Sequence, residues 1–200
     1  TGDFIAHDYG WNILASVEHK GIIFNNGDND TFPLWFLQEV KDYRKDIAVI
    51  NLSLLNTSWY ISQLKGQPHY VPMHFTDKEI EEITPIRLSS DRIFRAGSLE
   101  QVLKKGQILT VKDQAVYSII KSNNWKRPVY FAVTVADLMD MDNYLDLEGL
   151  VFRIKQKPKG EPQNRVTIER TEENLTKAYL YNGVYDHIVY KTQNSERLIS

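Results

Sequence analysis

The chain of 200 residues contains no cysteine. Disulfides, thiolate metal sites and cysteine nucleophiles are thereby excluded, while the compartment stays open, because a thiol-free chain suits oxidising and reducing surroundings alike. No apolar run approaches the roughly 18 residues of a membrane span. An excess of either charge is also missing: 24 Lys and Arg stand against 26 Asp and Glu, a net charge of -2, so no nucleic-acid partner is expected. The sequence has no G-x-G-x-x-G, Walker loop, G-x-S-x-G or H-E-x-x-H motif, which leaves dinucleotide binding, P-loop chemistry and a hydrolase triad without support. Of the histidines, His7, His19, His69, His74 and His187, only His69 and His74 stand near each other, in a proline-interrupted stretch without a third ligand, so no zinc site is expected.

What is present reads as a globular α/β chain, 42% hydrophobic and 25% charged. Ile22-Ile23-Phe24 leads through a polar turn into an amphipathic run, the pattern of a buried strand, a loop and a helix. Asp8 to Val17 should form a preceding helix, capped by Asp8, with its Trp11 face on the sheet. Thr31 or Asp30 should cap the next helix, with Pro33 in its first turn and Leu34, Phe36, Leu37 and Val40 as its buried stripe, broadened by Trp35. Ile47 to Leu52 is a second buried strand, followed by a short helix through Leu64, and Pro128 to Val133 a third strand; continuous apolar character argues for a parallel sheet of βαβ units.

Between the second and third strands, Thr76-Asp77-Lys78-Glu79 reads as a helix start, Ser98-Leu99-Glu100-Gln101 as a capping box opening a helix that Gly106 ends, and Thr110 to Asn124 as a further helix. Beyond Val135, Asp137 to Asp142 reads as helical or turn-like and Leu150 to Ile154 as a strand. Lys155 to Asn164 reads as a solvated loop, Arg165 to Ile168 as an antiparallel partner strand, and Thr171 to Asn174 as the start of a last helix. The expected fold is a mostly parallel α/β sheet flanked by helices, with a smaller C-terminal antiparallel appendage. The expected division is 1–136, carrying a proline-interrupted insertion at about 66–97, and 137–200 packed upon it. Because Thr1 is not an initiator methionine and both ends fall in patterned sequence, the chain is expected to be an excised soluble piece of something longer.

The loop after the first strand places two carboxylates and three amides within Asn25 to Asp30. Strand-to-helix loops of α/β sheets lie at the carboxyl edge, where ligands bind. Asn26, Asp28, Asn29 and Asp30 are therefore candidate ligand-binding residues. Asn51, Ser53 and Asn56 join them from the end of the second strand, as amides and hydroxyls that read sugar hydroxyls, with Trp59 or Trp35 to stack on a pyranose. Asp28-Asn29-Asp30 is also formally a D-x-D, in which two hard oxygens could converge on Mg²⁺ or Mn²⁺ and a sugar-nucleotide diphosphate. Turn formation and helix capping are the commoner roles of such aspartates, and the core the commoner place of such aromatics. Lys126-Arg127-Pro128 could meet a phosphate, though a solvated turn is the commoner role of such a segment.

Asn26-Gly27-Asp28-Asn29-Asp30-Thr31-Phe32-Pro33-Leu34-Trp35 and Val49-Ile50-Asn51-Leu52-Ser53-Leu54-Leu55-Asn56-Thr57-Ser58-Trp59-Tyr60 resemble motifs of the domain of unknown function 2723. These are polytopic membrane proteins similar to the transmembrane-protein-260-like protein O-mannosyltransferases. Asn124-Trp125-Lys126-Arg127-Pro128-Val129-Tyr130-Phe131 and Leu147-Glu148-Gly149-Leu150-Val151-Phe152-Arg153 fit in the same order. The resemblance implies a water-exposed C-terminal domain, periplasmic or otherwise extracytoplasmic. It would follow a membrane-embedded remainder of the same polypeptide in the inner membrane, which uses a lipid-linked sugar donor and carries the catalytic acid. It assigns no catalytic residue and no cofactor to this chain, and it implies an acceptor protein or glycan as partner. A metal-dependent sugar-nucleotide site at Asp28 and Asp30, and a purely structural interaction module, stand as the alternatives.

Overall fold

A computed structural model describes residues 4–66, 71–156 and 166–182 of the chain. Its centre is a five-stranded sheet. Strand β1 (Ile22–Asn25) pairs in parallel with β2 (Ala48–Asn51), joined to it by helix α2 (Asp28–Lys41), and on its other side with β7 (Val129–Ala132). All four residues of each of these strands are buried, as both-face coverage by helices requires. Between β2 and β7 the chain forms a 3-10 turn at Leu54–Asn56, α3 (Ser58–Gly66), α4 (Asp77–Glu82), β3 (Ile86–Arg87), β4 (Arg92–Ala96), β5 (Leu99–Leu103), β6 (Ile108–Leu109) and α5 (Val111–Asn123). The strands β8 (Leu145–Leu147) and β9 (Val151–Ile154) complete the sheet, in the order β2-β1-β7-β9-β8.

The sheet is therefore mixed rather than mostly parallel. After β7 the chain passes without an α-helix to the sheet's edge as β8 and then turns back as β9, which fits between β7 and β8 and pairs antiparallel with both. The C-terminal strands thus continue the same sheet. The expected strand at Arg165 to Ile168 is replaced: Val166 makes a single parallel bridge to Leu147, and Ile168 opens helix α6 (Ile168–Glu173). Arg165 and most of the expected loop at 155–164 lie outside the described residues.

The Ser98 capping box is overturned as well. Gly97 (φ +57°) and Ser98 form the two-residue turn of the β4–β5 hairpin, in which Arg95 faces Glu100. Burial alternates along β5, with Leu99, Gln101 and Leu103 inward, and this period of two outweighs the local cap pattern. The helix starts expected at Thr76 and at Thr110 are present, and the structure shows a capping box at each. Thr76 and Glu79 open α4, and Thr110 and Asp113 open α5, each pair exchanging side-chain and main-chain hydrogen bonds.

Helix α1 (Ile5–Ser16) begins before Asp8, which is a fully buried residue inside it rather than its cap. Trp11 stacks on Tyr43 at 3.7 Å between ring centres and donates to the Ala178 carbonyl, while Tyr9, Ile13 and Leu14 face the core. Arg44 closes this helix, donating to the carbonyls of Leu14 and Val17 at 2.8 and 2.9 Å. In α2 the buried residues are Asp30, Thr31, Leu34, Leu37 and Gln38; Phe36 and Val40, expected inside, are exposed. Pro33 lies well inside the helix, beyond its first turn, and the side of α2 carrying Pro33 and Leu37 packs so closely on α1 that a Cβ at Gly10 would stand 3.1 Å from each. No helix among the described residues is long and apolar enough to cross a membrane.

Candidate functional site at the carboxyl edge of the sheet

Asn25 and Asn51 are partners in the parallel register, so β1 and β2 end side by side and their loops share the carboxyl edge. Asn51 organises that edge. Fully buried, it donates from Nδ2 to Asp28 Oδ1 at 3.1 Å, and its Oδ1 accepts the Ser53 and Leu54 N–H groups at 2.8 and 3.1 Å. This is an Asx turn with a second strand's loop held on it. Ser53 Oγ donates to the Asn26 carbonyl at 3.0 Å and ties the two loops again. Behind them the Asn51 N–H donates to the Tyr60 hydroxyl at 3.1 Å; burial pushes that phenol up to about 12, the N–H acting in the opposite direction, so it stays neutral at physiological pH.

The aspartates of the loop serve the helix. Gly27 is the N-cap of α2 without a side-chain bond, and Asp28 and Asp30 stand in the first turn, where negative charge meets the positive end of the helix dipole. Thr31 lies one turn in and donates Oγ1 to the Gly27 carbonyl at 2.7 Å, so neither Asp30 nor Thr31 is the cap. Asp28 is exposed and held by Asn51, whereas Asp30 is buried and accepts a hydrogen bond from Thr134 after β7. The two carboxylates are thus anchored to different strands' ends. Among the described residues no group of three or more His, Asp or Glu could hold a metal ion.

Three of the expected residues, Asn26, Ser53 and Asn56, line one polar cleft of about 150 Å³, over an apolar floor of Leu52 and Val135. Its other wall comes from residues that the sequence reading passed over. Lys112, at the start of α5, donates its N–H to Asn56 Oδ1 at 3.0 Å, and its Nζ reaches Asp137 Oδ2 at 3.3 Å. The third parallel strand ends at this same edge, so extending the edge rule to the loop after β7 would have found Asp137. Asn29 is exposed on the first turn of α2. Trp59 is 57% exposed and contacts Tyr60 edge-on, outside the cleft, and Trp35 lines a separate hollow with Val49 and Tyr60. Arg127 is at the opposite edge, donating to the Lys20 and Gly21 carbonyls ahead of β1. His74 binds Ser118; His69 and His187 lie outside the described residues.

The cleft offers an ammonium, a carboxylate, two amides and a hydroxyl whose proton is committed to a carbonyl. Such a set reads neutral groups that both donate and accept, as hydroxyls do, and no histidine lines it to activate a nucleophile. Nearby, the amide of Asn25 is fully buried with no hydrogen-bond partner among the described residues, a polar group left open at this edge.

A mixed five-stranded α/β domain with a polar cleft at its carboxyl edge is the class that these features define. The family profile of TMEM260-associated domain 2 matches residues 6–89 and 84–172, which take in every strand of the sheet. The chain belongs to that family. No characterised protein and no solved structure matches it.

Proposed function

We propose that this chain is a non-catalytic, extracytoplasmic domain of a polytopic membrane glycosyltransferase of the protein O-mannosyltransferase type, and that its sheet-edge cleft receives the glycan or hydroxylated side chains of the acceptor. Family membership supports the parent class. The observation that carries the binding role is the convergence of Asn26, Ser53, Asn56, Lys112 and Asp137 on one small polar cleft. Catalysis and the lipid-linked donor fall to the membrane-embedded remainder, and this domain orients the acceptor.

Calorimetry with a short peptide carrying a mannosylated serine tests it. Saturable heat at millimolar peptide is expected, together with its loss in the Lys112→Ala/Asp137→Ala double variant, which removes both members of one ion pair and leaves Asp113, the second carboxylate near Lys112, held by its capping bonds to Thr110. Absence of saturable heat, or heat unchanged in the double variant, refutes the binding role.

A further inference from the structure

A second cavity, of about 260 Å³, lies between α5 and the β4–β5 hairpin and has no lining residue in common with the sheet-edge cleft. Its body is apolar: Phe94 of β4 lies against Tyr117 of α5 with ring centres 4.5 Å apart, and Leu88, Leu103 and Leu109 complete the walls. Burial, with Asp113, Asp140 and Asp137 in the vicinity, holds the Tyr117 phenol well above its ordinary pKa, so that ring stays neutral. Those three carboxylates do not line the cavity, and neither does any other acidic residue among the described residues.

The charge that does line it is positive. Arg92 and Lys121 face each other's walls from β4 and α5, both exposed at the rim, and neither has an ion-pair or side-chain hydrogen-bond partner among the described residues. In a chain of net charge -2, two uncommitted cations over an apolar hollow are a local reversal of sign. A polar anchor sits within the same lining: the buried Ser118 hydroxyl accepts the His74 N–H at 3.1 Å and meets His74 Nδ1 at 2.8 Å, which leaves Nε2 as the uncommitted ring nitrogen.

We propose that this cavity binds a small amphiphilic monocarboxylate, its hydrocarbon body lying along Phe94, Tyr117 and Leu103 and its carboxylate held at the rim by Arg92 and Lys121. Apolar walls with a few convergent polar groups are the composition of small-ligand sites. The volume of about 260 Å³ falls just below the usual range of such sites, about 300 Å³ and upward, so a short-chain acid rather than a two-tailed lipid fits. Guanidinium and ammonium groups recognise a carboxylate by charge-assisted hydrogen bonds, which a neutral head group of the same size cannot reproduce.

The test titrates the isotope-labelled 200-residue chain with octanoate, with 1-octanol and with acetate, following amide shifts. Octanoate should saturate at millimolar concentration with shifts centred on Phe94, Leu103, Tyr117 and Lys121. Octanol should bind about tenfold more weakly, and acetate should not saturate. The R92Q/K121Q double variant alters only exposed side chains, and its thermal midpoint checks the fold. It should bring octanoate down to the affinity of octanol. Equal binding of octanol and octanoate, an unaffected double variant, saturation by acetate, or no saturable octanoate shift at these residues would each overturn the proposal.

Discussion

Asn51 holds the sheet-edge loops together by one donor and one acceptor oxygen, and exchanging them separately is a sharp test of that role. In Asn51→Asp the oxygen that accepts from Ser53 and Leu54 is retained, while the amide donating to Asp28 Oδ1 at 3.1 Å becomes a second carboxylate oxygen. Two unit charges at that separation repel by roughly 1–5 kcal/mol for effective dielectrics between those of water and a protein surface. Asp28 is exposed, so solvent screening favours the lower part of the range, and a loss of about 1–3 kcal/mol is expected at neutral pH. The introduced carboxylate has a folded pKa raised above its unfolded value of about 3.9, so the native state binds its proton first, and the penalty fades as pH falls toward 4. The double variant Asp28→Asn/Asn51→Asp reverses the polarity of the bond and should recover at least half of the loss, a positive coupling. Urea unfolding near pH 7 and near pH 4 measures each of these quantities. A single variant as stable as the parent at neutral pH, or a double variant no better than the sum of the two singles, refutes the organising role of Asn51.

Gly149, in the turn between β8 and β9, has φ +74°, and a Cβ there would stand 2.1 Å from the Tyr179 hydroxyl that bonds Ser16 and the Leu150 N–H. Gly149→Ala should cost about 2 kcal/mol or more, read from the denaturation midpoint; a cost below about 0.5 kcal/mol contradicts the close approach. At Asp46, burial acts to raise the carboxyl, but Arg44 and the Lys20 N–H outweigh it and hold the group down to about 2. Its stabilising contribution is therefore present above the unfolded value and lost as pH falls through about 2. Asp46→Asn should be less stable than the parent at neutral pH, with the difference closing on acidification below about pH 4; a pH-independent difference contradicts this account.

The parallel half of the sheet was legible because its strands are buried on both faces, and residues such as Ile22-Ile23-Phe24 and Val129-Tyr130-Phe131 carry that burial in their composition. The antiparallel half was only partly so. β9 reads as a strand, but β8 is three residues long with Asp146 in its middle, and pairing, rather than propensity, makes it a strand. The Ser98 segment shows the converse error: a cap pattern of four residues matched, while the alternation of Phe94, Ala96, Leu99, Gln101 and Leu103 across a Gly-Ser turn was the stronger signal. At the site, Asn26, Ser53 and Asn56 follow from strand-end logic. The same logic carried to the end of β7 reaches Asp137, whereas Lys112 follows from no strand end, because the fold brings it in from the start of α5. Phe36 and Val40 misled for a simpler reason, since helical spacing shows that apolar residues share a face but not which face is covered.

The most direct measurement is amide-shift mapping of the labelled chain with the mannosylated serine peptide, beside the same peptide without sugar. Shifts confined to Asn26, Ser53, Asn56, Lys112 and Asp137, larger for the mannosylated peptide and lost in the Lys112→Ala/Asp137→Ala variant, are what a glycan-receiving sheet edge requires. Shifts absent from these residues, or gathered instead on the exposed Phe32 and Phe36 side of α2, would contradict it.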